Sequence, residues 1–380
     1  MASGKMKIDE DFIGKLVDEA AKVVVLNIPS GTEFGIDLKT WRVTDSFMGI
    51  RMIPPGFHYV HYSAVNRIGE PAPRIGFFHT FSISEFLVKK WDEEAEDFSV
   101  EAVPEEVVQR LKSNSKQLDR YLACYPFDIW IKWIDLTNLI RPSLAERCAP
   151  VCGVVRSALE LEHCTDAMRP RGGVLSPRRK KRCGITVEER ENELLPDMKP
   201  VPGTDLRFTK LPTKYYPDNA SPSEITMHSL DSSYALETFL RQLPHPLEII
   251  GEMQLAFVCF LVGQSLDSFD HWKKLIILIC DADSAIPKLR GIYIAFLKAI
   301  ETQLTHVPDD ILCDIVDNNN FIYHSLRKLF ATIEENSRID SRLKCQASHF
   351  RDRLKAKLAW DFSDMHEVNE DEAPVIVSLD

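Results

Sequence analysis

An α+β fold of two domains, a β-rich N-terminal one built as an antiparallel sandwich or barrel and an all-helical C-terminal one, is predicted by three observations. The chain's 380 residues exceed what one ordinary core holds, roughly 100–200 residues. Short β-branched and aromatic runs crowd the first hundred positions at the close spacing of sandwich or barrel strands. Beyond residue 217, apolar residues recur instead at intervals of three and four, the period of helices with one buried face.

The chain opens with an amphipathic helix, because Phe12, Ile13, Leu16, Val17 and Ala20 fall on one face. Strand-forming runs follow, KVVVLNI, WRV, FHYVHYS, RIGFFHTF and SEFLVKKW, parted by Pro, Gly, Ser and Asn. In the stretch NIPSGTEFGID, Pro29 and Gly31 shape a turn and Gly35 permits a bulge in the next strand. From Pro104 helical patterns return in PEEVVQRLKSNSKQLDRYL and PFDIWIKWIDLTNLI, and the first domain spans residues 1–164.

Residues 165–217 are a linker with a basic segment, where periodicity fades while Pro, Gly and charge accumulate. Leu206, Phe208, Leu211, Tyr215 and Tyr216 are too apolar for a purely solvated tether, so part of this stretch is expected to lie extended on a neighbouring domain. The helical domain, 218–361, starts on a capping signal. Ser221 suits the N-cap, Pro222 the first turn, and Glu224 closes a capping box. In its last helix Ile339, Leu343, Ala347, Phe350, Leu354 and Leu358 form one stripe. With no fixed-period repeat, a compact bundle or short superhelix is expected. Residues 362–380 are an acidic tail with a terminal strand.

Composition narrows the function classes. A formal net charge of -11 opposes wholesale wrapping of nucleic acid, which needs a cationic face, so any RNA contact has to be local. Nine cysteines, an odd number with Cys259 and Cys280 in apolar helical stretches, indicate reduced thiols and hence cytosol or nucleus. The start MASGKMKIDEDF has no apolar stretch of signal-peptide length, and LAFVCFLVG at 255–263 falls short of a membrane helix of about 20 residues. Neither secretion nor membrane insertion is expected.

Motifs for chemistry fail one by one. A Walker loop needs Gly-Lys-Ser/Thr where Gly35 is followed by Ile36 and Asp37, and Glu33 and Asp37 would repel phosphate. His58 and His61 lie three apart on a strand, so they point to opposite faces and cannot chelate together. Cys148, Cys152, His163 and Cys164 match no zinc spacing. There is no nucleophile elbow and no activated Cys-His context, and Asp309 and Asp310 after Pro308 suit a helix's first turn. No catalytic, cofactor-binding or metal-ligating residue is therefore assigned.

Two interaction features remain. In SPRRKKR, Arg178, Arg179, Lys180, Lys181 and Arg182 suit a nuclear-import patch or a local RNA contact, the alternative being a solvated linker. Ser176, before Pro177, is a candidate phosphosite whose added negative charge weakens that patch. After Trp360, DFSDMHEVNEDEA carries six acids and no Lys or Arg. The strand formers Val375, Ile376 and Val377, with Leu379, then have nothing nearby to pair with. Such a tail adds a strand either to a partner's sheet or to the chain's own β domain.

Several stretches taken together resemble the A1-cistron splicing factor family: GTEFGID, MIPPGFHYVHYS, IGFF, WIDLTNLI, MKPVPGTDLRF, EITMHSLDSSYALET, GEMQLAFVCFLVG, FDHWKKL and WDF. The likeness runs from about residue 23 to 378, and APVIVSL matches the family's tail pattern. The basic stretch around 169–182 is longer and more charged than the family pattern, so its role is not covered by the likeness. The resemblance implies a β-rich domain followed by a helical domain similar to the VHS or ENTH superhelix. It also implies a non-enzymatic assembly factor of the U5 small nuclear ribonucleoprotein (snRNP) in splicing, found in nucleus and cytoplasm and acting without a cofactor. The implied partners are the large U5 scaffold protein, bound at its RNase H-like and Jab/MPN domains so as to delay the U5 RNA helicase, and other U5 proteins. Direct RNA contact stays open. The competing class is a VHS-like adaptor in protein trafficking, since fold does not fix function.

Overall fold

The computed structural model describes residues 20–66, 68–159, 161–163, 198–307 and 320–362. Of the helix expected over residues 12–20, all but Ala20 lies outside them, and Ala20 itself is not helical. Two five-stranded sheets make the N-terminal region. The first holds β1 (Ala21–Leu26), β4 (Gly49–Ile53), β7 (Phe86–Asp92), β8 (Asp97–Phe98) and β9 (Leu122–Cys124), in the order β8-β7-β1-β4-β9. The second holds β2 (Glu33–Ile36), β3 (Lys39–Arg42), β5 (Gly56–Ser63), β6 (Ile75–Phe81) and β10 (Val155–Arg156), in the order β10-β6-β5-β2-β3.

Alternation puts Val23 and Val25 of β1, Phe34 and Ile36 of β2, and Val60 and Tyr62 of β5 into one core between the sheets. The second sheet is antiparallel throughout. In the first, β1 runs parallel to β7 and β4 parallel to β9, which corrects the wholly antiparallel expectation. The chain leaves that sheet after β4, forms the β5–β6 hairpin in the other, and re-enters beside β1. A crossover of this kind, unlike a tight hairpin, allows parallel entry.

The bulge expected at Gly35 is also corrected, because the β2 register with β3 and β5 is continuous there. Glycine is required for another reason. A Cβ at position 35 would stand 2.3 Å from the His61 ring and 2.4 Å from the Lys39 carbonyl. Gly31, at φ +90°, does form the predicted turn.

Among the described residues four α-helices complete this region: α1 (Glu105–Ser113), α2 (Ser115–Leu118), α3 (Phe127–Thr137) and α4 (Pro142–Cys148). The C-terminal region is helical: α5 (Pro222–Leu230), α6 (Ser233–Leu240), α7 (Glu248–Leu261), α8 (Leu266–Cys280), α9 (Arg290–Leu304), α10 (Phe321–Glu335) and α11 (Ser341–Leu358). A β-rich region followed by a helical one is the predicted α+β architecture. The Ser221 capping box forms, and Leu343, Ala347, Phe350 and Leu354 are buried along α11. None of these helices is long and apolar enough to cross a membrane.

The two regions share a core. β5 is buried on both faces, and while Val60 and Tyr62 point between the sheets, Phe57 and Tyr59 meet Leu255, Val258 and Cys259 of α7 together with Trp133, Leu144 and Cys148. Gly251 lets α7 touch the Leu139 carbonyl, where a Cβ would lie 2.4 Å away. Gln254 accepts from Leu139 N–H at 2.9 Å, and Arg74 donates to the Val262 carbonyl at 2.9 Å. Helix α7 is thus the pillar of both regions. β11 (Leu161–His163) and β12 (Met198–Pro200) pair antiparallel, and the chain then runs along the helices as a strap, with Leu206, Phe208 and Leu211 packed on the cores as expected and Tyr215 40% exposed.

Candidate functional site

The strap is fastened by a buried ionic network. Glu252 of α7 is fully buried and accepts hydrogen bonds from Thr209 N–H (2.7 Å), the Thr209 hydroxyl (2.7 Å), His271 Nε2 of α8 (2.9 Å) and Arg147 of α4 (3.3 Å). Arg147 also donates to the Thr209 oxygen at 2.7 Å and to Glu248 at 3.3 Å. Phe208 stacks on the His271 ring with centroids 4.3 Å apart. Burial alone pushes the Glu252 carboxyl up, but the bond and charge of His271 and the two bonds from Thr209 outweigh it and hold the group below the usual range. Each member of the set is engaged by another, so the network fastens chain segments and presents no free nucleophile or base.

A second network closes the stretch that resembled a phosphate loop. Asp37, with no exposed surface and φ +54°, accepts from Tyr59 N–H (3.0 Å) and the Tyr125 hydroxyl (2.6 Å), and shares a hydrogen bond of 2.7 Å with His58 Nδ1. His58 Nε2 donates to the Pro54 carbonyl at 2.8 Å. Burial, then the Asp37 charge, drives the Tyr125 hydroxyl well above its ordinary pKa. The predicted acidic barrier to phosphate is in fact a saturated structural knot. His61, on the opposite face of β5 as predicted, is buried and held neutral, its pKa pushed down to about 3 by burial and by Arg74 against a hydrogen bond to the Asp37 main-chain carbonyl.

Beside the strap lies a groove of about 850 Å³ between residues 210–216, α5 and α8. Leu211, Ile277, Leu278, Tyr215 and Tyr216 supply its apolar lining, and Lys210 and Lys274 are exposed at its edge. Among the described residues no hydrogen bond engages the main chain of 211–216, although that chain runs without helix or sheet pairing. Helix α5, which borders the groove, buries none of its own residues and rests on its cap instead.

The residues singled out from sequence fall mostly elsewhere. Ser176, Arg178, Arg179, Lys180, Lys181 and Arg182, and Val375, Ile376, Val377 and Leu379 in the tail, lie outside the described residues. Cys164 does too. Cys148 is buried in the shared core with its thiol pushed up to about 12, chiefly by burial, while Cys152 is exposed. No cluster of metal-ligating side chains occurs among the described residues. Sequence reasoning missed Arg147, Thr209, Glu252 and His271, which no spacing motif connects.

Two family models match the chain: the AAR2 N-terminal domain over residues 19–150 and the AAR2 C-terminal repeat region over residues 208–363. The second match takes in Phe208 and Thr209, the fastened end of the strap. A human protein called Protein AAR2 homolog is 39% identical over 98% of this chain and 97% of the relative. The mouse protein of the same name is 38% identical over the same shares. Its Caenorhabditis elegans counterpart is 32% identical over 93% of this chain and 98% of the relative.

Proposed function

Because the chain belongs to the AAR2 family, we propose that it is a non-enzymatic assembly factor of the U5 snRNP in pre-mRNA splicing. It binds the large U5 scaffold protein at its RNase H-like and Jab/MPN domains and delays docking of the U5 RNA helicase. The observation that carries this is the likeness to AAR2 homologs over nearly the whole of both chains. A rigid body whose buried polar groups are mostly consumed internally suits action by occupancy, since exclusion of a competitor needs only overlapping footprints and comparable affinity. The tail strand at Val375, Ile376, Val377 and Leu379 adds a tethered contact, whose effective concentration the folded body raises. Residence in nucleus and cytoplasm follows from this role and from the basic segment at 178–182.

Reconstitution with the scaffold's two C-terminal domains tests the reading. The chain is expected to form a stable complex, and added helicase is expected to compete with it in a concentration-dependent way. Simultaneous binding of chain and helicase, without mutual displacement, refutes it.

A further inference from the structure

We propose that the groove beside the strap is a docking site for this chain's own C-terminal segment, with residues 373–379 pairing to the main chain of 211–216 and the acids before them lying over Lys210 and Lys274. Four observations meet here. First, the stretch 211–216, which has no helix or sheet pairing and bends at Thr213, Tyr215 and Tyr216, bonds through its main chain to nothing among the described residues, and such open donors and acceptors take up the main chain of another segment. Pro212 withholds one donor, which leaves Leu211, Thr213, Lys214, Tyr215 and Tyr216 to offer N–H groups.

Second, side chains complement. In APVIVSL, Val375, Val377 and Leu379 alternate onto one face, and the groove answers with Leu211, Ile225, Ile277 and Leu278. Third, charges complement. The six acids between Asp361 and Glu372 come with no Lys or Arg. The lining contributes the exposed Lys210 and Lys274, while its own carboxylate, Asp281, is already paired with Lys328 at 2.9 Å. Lys274 meets Asp270 at 2.5 Å and Lys214 meets Asp218 at 2.7 Å, both on the surface, where such pairs exchange partners at little cost.

Fourth, the last described residue, Phe362, lies within reach of the groove. Phe362 stacks on Tyr323 and packs on Phe330, both of α10. Lys328 of that same helix bonds the Leu230 carbonyl at the end of α5 and Asp281 of the groove. Residues 363–372, extended, reach roughly 33–36 Å, more than the roughly 22 Å length of α10. This docking is separate from the partner reading, because it concerns the isolated chain and is measured with no partner present.

Amide hydrogen exchange on the purified full chain, compared with a chain ending at residue 362, tests it. The amides of 211 and 213–216 are expected to exchange at least tenfold more slowly in the full chain. The double charge reversal Lys210→Glu and Lys274→Glu, both at exposed positions, is expected to move the full chain's rates toward those of the shortened one. Equal rates in the two chains overturn the proposal. So does protection that appears at 39–42 of β3 instead, which would assign the tail to the edge of the second sheet.

Discussion

At position 252 a carboxylate without exposed surface is held by groups from three other segments, so its removal strands more than one partner. Glu252→Ala leaves His271 buried without its acceptor and frees Thr209, and is expected to lower stability by about 3 kcal/mol. Urea denaturation checks this, the midpoint falling with an unchanged slope. The pH dependence has a definite sign. The folded carboxyl titrates below its unfolded value, so its contribution is complete above the ordinary carboxylate range of about 4.3 and is lost as pH falls through the depressed folded value. The stability gap between the native chain and Glu252→Gln should therefore close in acid and stay constant above pH 6.

His61 obeys the same rule in another window. Its folded pKa of about 3 lies below the unfolded value, so the stability tied to its neutrality is present above about pH 6.5 and declines as pH falls toward 3. A ring NMR titration should find it unprotonated at pH 5, and protonation near 6.5 would contradict the buried placement against Gly35. Such sites differ in how far the chain discloses them. The divergence of His58 and His61 follows from the two-residue period of a strand. The Glu252 set spans separations of 62, 43 and 19 positions, and no local pattern encodes contacts at such distances.

Among the elements, α7 carries the most constraint, and two glycines measure it. At Gly251 a Cβ meets the Leu139 carbonyl at 2.4 Å and Leu144 at 2.7 Å. Backbone cannot yield as a side-chain tip does, so Gly251→Ala is expected to destabilise by about 1–3 kcal/mol. Gly291, in the first turn of α9, has open space where its Cβ would go. There Gly291→Ala is expected to stabilise by up to about 1 kcal/mol through helix propensity. Thermal unfolding of the two variants should shift in opposite directions, and equal shifts would show that the α7 contact is looser than the geometry states. Local signals had announced the α5 cap and the α11 stripe, because caps and stripes are written within a few turns. Strand order had no such signature. The parallel pairing of β1 with β7 depends on where a crossover lands, which alternation alone does not specify.

For the whole molecule, the linker between two differently patterned halves suggests two bodies that melt apart, whereas the packing argues for one. Phe57, Tyr59 and Trp133 from the N-terminal region share a buried cluster with Leu255, Val258 and Cys259. Arg147 and Thr209 bind the same carboxylate on α7. Losing the sheets would expose one side of α7, and losing α7 would uncover Tyr59 and Trp133, each burial being worth about 1.5–3 kcal/mol per large side chain. Unfolding of either region therefore strips buried surface from the other. Calorimetry of the chain should accordingly show one transition with a van't Hoff enthalpy equal to the calorimetric one. Proteolytic nicking between residues 164 and 197 should leave that transition single, because the described contacts between the regions do not pass through that stretch. Two separate transitions in the intact chain would mean that α7 belongs to the helical region alone, and the proposed bridging of two partner domains would lose the rigidity on which the proposed exclusion of a competitor relies.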